Sequence, residues 1–198
     1  DNRYENWRQH TVNLSAYAGQ NVWIAFHHED EDEYEIWIDD VELSINRNRD
    51  DISYGFEGGL EGWTVMTVNP AGGEWLHSSN QPSGYDYSEL AHTGTGFAMS
   101  YSFIDYDGAY ETDSYLVSPQ MYAIGSGSTM TFWADNANDS YPDFFEVMVS
   151  TAANPTANDF VSVYSHTGAK GGQKAAVRHM DNRYENWRQH TVNLSAYA

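Results

Sequence analysis

The chain is 198 residues long and carries 29 Asp and Glu against 9 Lys and Arg, a formal net charge of -20. That excess repels phosphate, so it argues against nucleic acid and anionic membrane surfaces as partners and favours divalent cations. Cysteine is absent, which excludes disulfides and zinc–thiolate sites and leaves calcium as the obvious staple for an acidic extracellular domain.

Residues 1–18, DNRYENWRQHTVNLSAYA, recur letter for letter at 181–198. This marks either a repeat with a period of 180 residues or a rearranged single unit with a redundant overlap. Aromatic residues make up 15% of the chain and are expected to fill much of a core of single-domain size. Within the first copy, residues 10–14 alternate, with Val12 and Leu14 sharing a face. Val22, Ile24 and Phe26, set against Trp23 and Ala25, read as a central strand. The run HHEDEDE at 27–33 reads as a charged connection, its acidic part a solvated hairpin tip. His27 and His28 are neighbours that point to opposite faces of an extended chain, so they make poor joint ligands. Tyr34, Ile36 and Ile38 resume the alternation, but Val41 and Leu43 carry the opposite parity. That slip at Asp39 and Asp40 predicts a β-bulge.

Residues 44–52, SINRNRDDI, are short and polar and form the best linker in the chain. Beyond it, Phe56 and Glu57 open a second run of signals, followed by a glycine-rich turn and the apolar stretch at 63–68. Residues 69–96 read as long loops carrying Trp75, Tyr85 and Tyr87. Short strands are predicted at 97–103, 114–117, 129–133, 144–150 and 160–164, with a polar loop at 135–143 and a mildly basic, flexible loop at 168–174. No amphipathic helix is predicted. Many short strands at this spacing predict an all-β sandwich or jelly roll.

Two sets of motifs carry a family likeness. Residues 14–43, LSAYAGQNVWIAFHHEDEDEYEIWIDDVEL, resemble the C-terminal signature of the cleaved-adhesin and choice-of-anchor J domains. Those are MAM-like jelly-roll sandwiches of secreted bacterial surface proteins, including the haemagglutinin regions of gingipains. Phe56 and Glu57 with Gly62 and Trp63 resemble the family's opening "FE…GW", and DSYLVSP at 113–119 resembles its "D-x-L-x-(S/T)-P" strand. Residues 129–133 and 145–151 resemble its two middle strands. The order is rotated, because the family's closing "IDDV" strand stands here near the start. Residues 1–46 are therefore expected to be the C-terminal strands of one jelly-roll unit, 47–52 a linker, and 53–198 the N-terminal and middle part of the next. The expected fold is an all-β, jelly-roll β-sandwich completed across a repeat or subunit boundary, since a sandwich short of its central strands leaves open edges. The other completion has residues 1–46 fold back onto 53–180 within the chain, as in a circular permutant.

Asp39 and Asp40 at the bulge, with Glu57 on the opening strand, are the leading candidate ligands for Ca²⁺. Hard oxygen donors joined by backbone carbonyls suit that ion, and the resemblance implies structural calcium. The other role open to Asp39 or Asp40 is blunting a sheet edge. Asp135, Asn136, Asn138 and Asp139 form a second oxygen-rich set without the terminal Glu of an EF-hand; Asx-turn formation is its other reading. Asp105, Asp107 and Asp113 flank a further glycine turn. Trp75, Tyr85 and Tyr87 are the candidate ligand-binding residues, suited either to stack on sugar rings or to pack as a satellite core. The absence of G-x-S-x-G, of H-E-x-x-H and of any cysteine nucleophile gives no catalytic candidate.

The expected protein is thus a secreted, cell-surface, non-enzymatic and calcium-stabilised adhesin or structural repeat module. It is expected to join end to end with identical copies in an array or filament. Host glycans or extracellular proteins are the other expected partners; nucleic acid and membrane insertion are not expected. The competing expectation is a carbohydrate-binding accessory module of a secreted hydrolase or protease.

Overall fold

The computed structural model describes residues 7–45, 51–104, 107–137 and 141–166. The second copy of the repeat, the loop at 168–174, Asp105, Asn138 and Asp139 lie outside the described residues. The strands in chain order are β1 (Arg8–Asn13), β2 (Asn21–Glu31), β3 (Glu35–Ser44), β4 (Asp51–Tyr54), β5 (Thr64–Thr67), β6 (Leu76–His77) and β7 (Ala98–Tyr101). They continue as β8 (Phe103–Ile104), β9 (Gly108–Ala109), β10 (Glu111–Val117), β11 (Tyr122–Ala123), β12 (Thr129–Asn136), β13 (Phe145–Ser150) and β14 (Val161–Ser165). Among the described residues the only helical turns are short 3-10 pieces, and no helix is long and apolar enough to cross a membrane.

Two six-stranded antiparallel sheets make the body. One runs β1-β12-β3-β7-β6, with β4 also paired to β3; the other runs β14-β13-β2-β10-β5, with β11 also paired to β2. Their facing sides share one core, in which Val12, Ile24, Phe26, Ile38, Phe132 and Val147 are all fully buried. The fold class is the all-β sandwich the pattern of short strands predicts.

Strand β2 is the spine of its sheet because both of its faces are covered. Val22, Ile24 and Phe26 point into the core, while Ala25 packs on the outer side with Tyr115, Val117, Met148 and Phe160. A reciprocal cap between Thr156 and Asp159 ends the segment that lays Phe160 over this outer face. The charged connection expected at 27–33 is instead mostly strand, since β2 runs to Glu31. His28 and Asp30 take the inward positions of the alternation and find polar partners there. Burial of a polar group is tolerable on those terms. The solvated tip shrinks to the residues around Asp32, whose φ of 63° turns the chain into β3.

Strand β3 holds the centre of the other sheet. Ile36, Ile38, Val41 and Leu43 are all buried in spite of their mismatched parity. The register explains it: Thr131 pairs with Glu42 and Trp133 with Asp39, so Phe132 alone faces both Asp40 and Val41. The extra residue sits at the expected bulge, with Asp40 in the left-handed region at φ 45°.

Strands β1–β3 therefore stand in the same two sheets as the strands that follow them. In this chain the sandwich is closed by fold-back, one of the two completions the sequence allows. The physical reason is proximity: β3 and β4 pair with each other, Ser44 opposite Asp51, so a few residues suffice to connect them. Strand β4 begins at Asp51, inside the segment expected to be linker.

Candidate metal centre

The bulge gives Asp39 and Asp40 different surroundings. Asp39 is fully buried beneath the loop at 92–95. Its Oδ2 accepts the N–H groups of His92 (3.0 Å) and Thr93 (3.3 Å), and its Oδ1 accepts that of Asp40 (2.7 Å). Burial first, and then the adjacent Asp40 carboxylate, push Asp39 up to about 7 against those three donors. Asp40 reaches the same loop from the side. Its Oδ2 lies 2.6 Å from His92 Nδ1, and its Oδ1 accepts the Thr93 hydroxyl at 2.8 Å.

Glu57 is not on the opening strand. Strand β4 ends at Tyr54, and Glu57 follows Phe56, a residue held at φ 54°. This turn swings the carboxylate against the far end of the loop, where Oε2 accepts the Thr95 N–H at 2.9 Å. A Cβ on Gly94 would lie 1.8 Å from Glu57 Oε1, and Gly94 has φ 62°, so only glycine fits there. Asp40 and Glu57 converge on Gly55, whose added Cβ would lie 3.8 Å from Asp40 Oδ1 and 3.9 Å from Glu57 Cγ.

The structure thus brings together Asp39, Asp40 and Glu57, from two places in the sequence, around one loop. The Asp40 carboxylate and the Glu57 methylene approach the same glycine, with left-handed backbone at Asp40 and Phe56, and the oxygen donors around it are of the type that suits a hard cation. Among the described residues no three Asp, Glu, His or Cys side chains group closely enough to form a metal cluster alone. A cation here would draw on backbone carbonyls as well. His92 is the member sequence reasoning missed; nothing in its neighbours' spacing marks it.

The other candidates separate. Asp135 and Asn136 are not in a loop but end β12, where Asp135 pairs with Trp37 and Asn136 with Ile36. Asn136 Nδ2 lies 3.1 Å from His166 Nε2. Asp107 is a turn residue hydrogen-bonded to the Tyr110 hydroxyl, and Asp113 pairs with His27 at 3.0 Å. Trp75 is corrected from loop aromatic to core residue: it is 1% exposed, and its Nε1 donates to the Ser114 carbonyl at 3.1 Å. Tyr87 is half-buried against Trp37 and Phe97, its hydroxyl 3.3 Å from Glu35 Oε1. Of the three only Tyr85 stays accessible, 61% exposed.

A further constellation was not legible in the sequence. His28 lies with Nδ1 2.7 Å from Ser100 Oγ and Nε2 2.9 Å from Asp143 Oδ1. Ser102 donates to the same Asp143 oxygen at 2.6 Å, and the Tyr34 N–H to the other at 3.0 Å. The residue types are those of a hydrolytic triad, yet Ser100 and the His28 and Asp143 side chains are wholly buried. No substrate reaches them. They tie β2, β7 and the segment before β13 together. His27, on the opposite face as expected, stacks on Tyr115 at 4.0 Å between Asp113 and Glu146.

The sequence model of the Cleaved Adhesin Domain family matches residues 2–43 and 53–198. The chain belongs to this family. Among similar proteins of Porphyromonas gingivalis, Lys-gingipain and Gingipain R1 are each 31% identical over 203 residues, covering 96% of this chain and 11% of the relative. Hemagglutinin A is 30% identical over the same length, covering 96% of this chain and 9% of that protein. The chain thus spans about a tenth of the length of the relatives it matches. No solved structure matches this cleaved adhesin domain at a significant level.

Proposed function

We propose that this protein is a non-enzymatic, calcium-stabilised adhesin module of a bacterial cell surface, joined end to end with identical copies. The observation that carries the adhesive part is the similarity to Hemagglutinin A and the gingipains along 96% of the chain. Secretion to the surface follows from the same kinship. Burial of the Ser100, His28 and Asp143 group supports a non-catalytic role.

Support for the tandem arrangement comes from the 180-residue period. A match covering 96% of the chain also runs through both of its segments, so the relatives too carry a tail-like segment ahead of a head-like one. Calcium would be held by Asp40 and Glu57, with Asp39 beneath them. There it would cross-link the bulge, the turn after β4 and the loop at 92–95, and it would offset the mutual repulsion of the neighbouring carboxylates.

Beads coated with the purified chain should be retained by erythrocytes in millimolar calcium and released by EDTA. Equal retention by uncoated beads overturns the adhesive reading. A carbohydrate-binding accessory module is the second reading, favoured by the exposed Tyr85. It expects a glycan-array signal that Tyr85→Ala removes.

A further inference from the structure

Among the described residues strand β1 is an edge strand, paired to β12 alone. It fills its place well. His10 is 2% exposed, its ring stacked on Phe132 at 5.0 Å and its Nδ1 2.8 Å from the Tyr164 hydroxyl. Val12 is fully buried opposite Met130. Residues 188–193 spell the same six letters as Arg8–Asn13, with His190 and Val192 in the positions of His10 and Val12. Nothing in the slot can tell the two apart.

The second claimant also begins from the right place. Strand β14 ends at Ser165, and the ring of the next residue, His166, lies 6.0 Å from that of His10. Residues 167–187 separate His166 from the second copy. At roughly 3.3 Å per residue they reach several times farther than this gap. Closing a connection of about twenty residues costs little more than closing a shorter one. A segment tethered from a point so near the slot competes at a high effective concentration, which favours the chain's own copy over a neighbour's.

We propose that the β12 edge is a strand-exchange site, at which residues 188–193 of the same chain replace Arg8–Asn13 with identical side-chain contacts. The exchange stops at the strand: the turn at Ser15–Tyr17 and β2 stay in place, and residues 1–13 are released. The freed segment keeps the buried-face pattern of His10 and Val12, so it is a donor strand for the β12 edge of another copy. This inference rests on the repeat-module reading only for its biological use.

A cross-strand disulfide reads the occupant directly. Thr129 stands opposite Asn13 in the register, and antiparallel partners lie within the Cα spacing a disulfide needs. The chain has no cysteine to interfere. Mild oxidation of full-length Thr129→Cys/Asn193→Cys should give an intramolecular disulfide, seen as a faster monomer on a non-reducing gel. Thr129→Cys/Asn13→Cys should give one as well. A disulfide in the second variant only, or solely intermolecular disulfides in the first, overturns the proposal.

Melting supplies the second arm. Val12→Asp and Val192→Asp should each stay within about 3 °C of the parent, whereas the double variant should fall by about 10 °C or more. Val12→Asp alone melting as low as the double variant overturns exchange. Loss of erythrocyte binding would leave both readouts untouched, so failure of the adhesive reading is separable from failure of this one.

Discussion

Asp30 shows what the inward positions of β2 demand. It is 5% exposed, and its Oδ2 accepts the Phe144 N–H at 2.7 Å. Burial raises its pKa from 3.8 to about 6, with the Phe144 and Glu31 N–H groups opposing and the nearby Asp143 charge adding to the rise. A raised carboxyl means that the folded state binds more protons than the unfolded chain between those two values. This contribution to stability is therefore greatest at the acid end and declines as pH climbs from about 4 to about 6. Asp30→Asn, which cannot titrate, should flatten the melting profile across that window; an unchanged slope would show that Asp30 does not carry it. His28 beside it ties Ser100 to Asp143 in the core. His28→Ala would leave Asp143 buried without its ring partner, a loss of about 1–3 kcal/mol for a buried acceptor deprived of one donor. Urea unfolding checks it: a change under about 1 kcal/mol would mean that Ser102 and the Tyr34 N–H suffice for Asp143.

At the scale of elements, the bulge in β3 is the clearest case of a structure written in its residues. Ile36 and Ile38 against Val41 and Leu43 declare a slip in parity, and burying all four permits only an extra residue between them. Asp40 carries that residue's left-handed backbone, which Asn tolerates and Ala does not. Asp40→Asn should therefore fold as well as the parent in EDTA, yet lose the rise in melting temperature that the proposed calcium site predicts for the parent. Asp40→Ala should lose both, at a cost of about 1–2 kcal/mol from backbone strain. A full calcium response in Asp40→Asn would remove this residue from the site. The same rule of alternation fails at HHEDEDE, because composition hides that His28 and Asp30 have partners, and those partners, Ser100, Asp143 and Phe144, come from distant strands. It fails for Trp75 too, which sits among loop-forming residues but reaches over Phe26 into the core. Asp39, Asp40 and Glu57 could be picked out by type and by likeness. Their meeting around the loop at 92–95, and His92 with them, depends on tertiary contacts that no local spacing records.

For the whole molecule, the period and the strand order together fix how many sandwiches a longer chain can seal. Residues 1–45 supply the spine of one sheet and the centre of the other, so a head (51–166) without a tail has two open sheets rather than a trimmed edge. In an array each head lies between two identical tails, one before it and one after. The fold-back seen here uses the tail before, while the family order uses the tail after. Either choice closes one sandwich per tail. With a net charge of -20 on each chain, open heads are more apt to stay apart than to pair with one another at low salt. The count of tails should therefore govern the count of folded units. A chain of two periods has two heads and at least two tails. Removing its first 45 residues and its final repeated segment leaves one tail for two heads. Calorimetry of that shortened chain should give about half the unfolding enthalpy of the two-period parent, because enthalpy scales with the number of residues that fold. An enthalpy close to the parent's would mean that a head folds without β1–β3, against the central places these strands hold in both sheets.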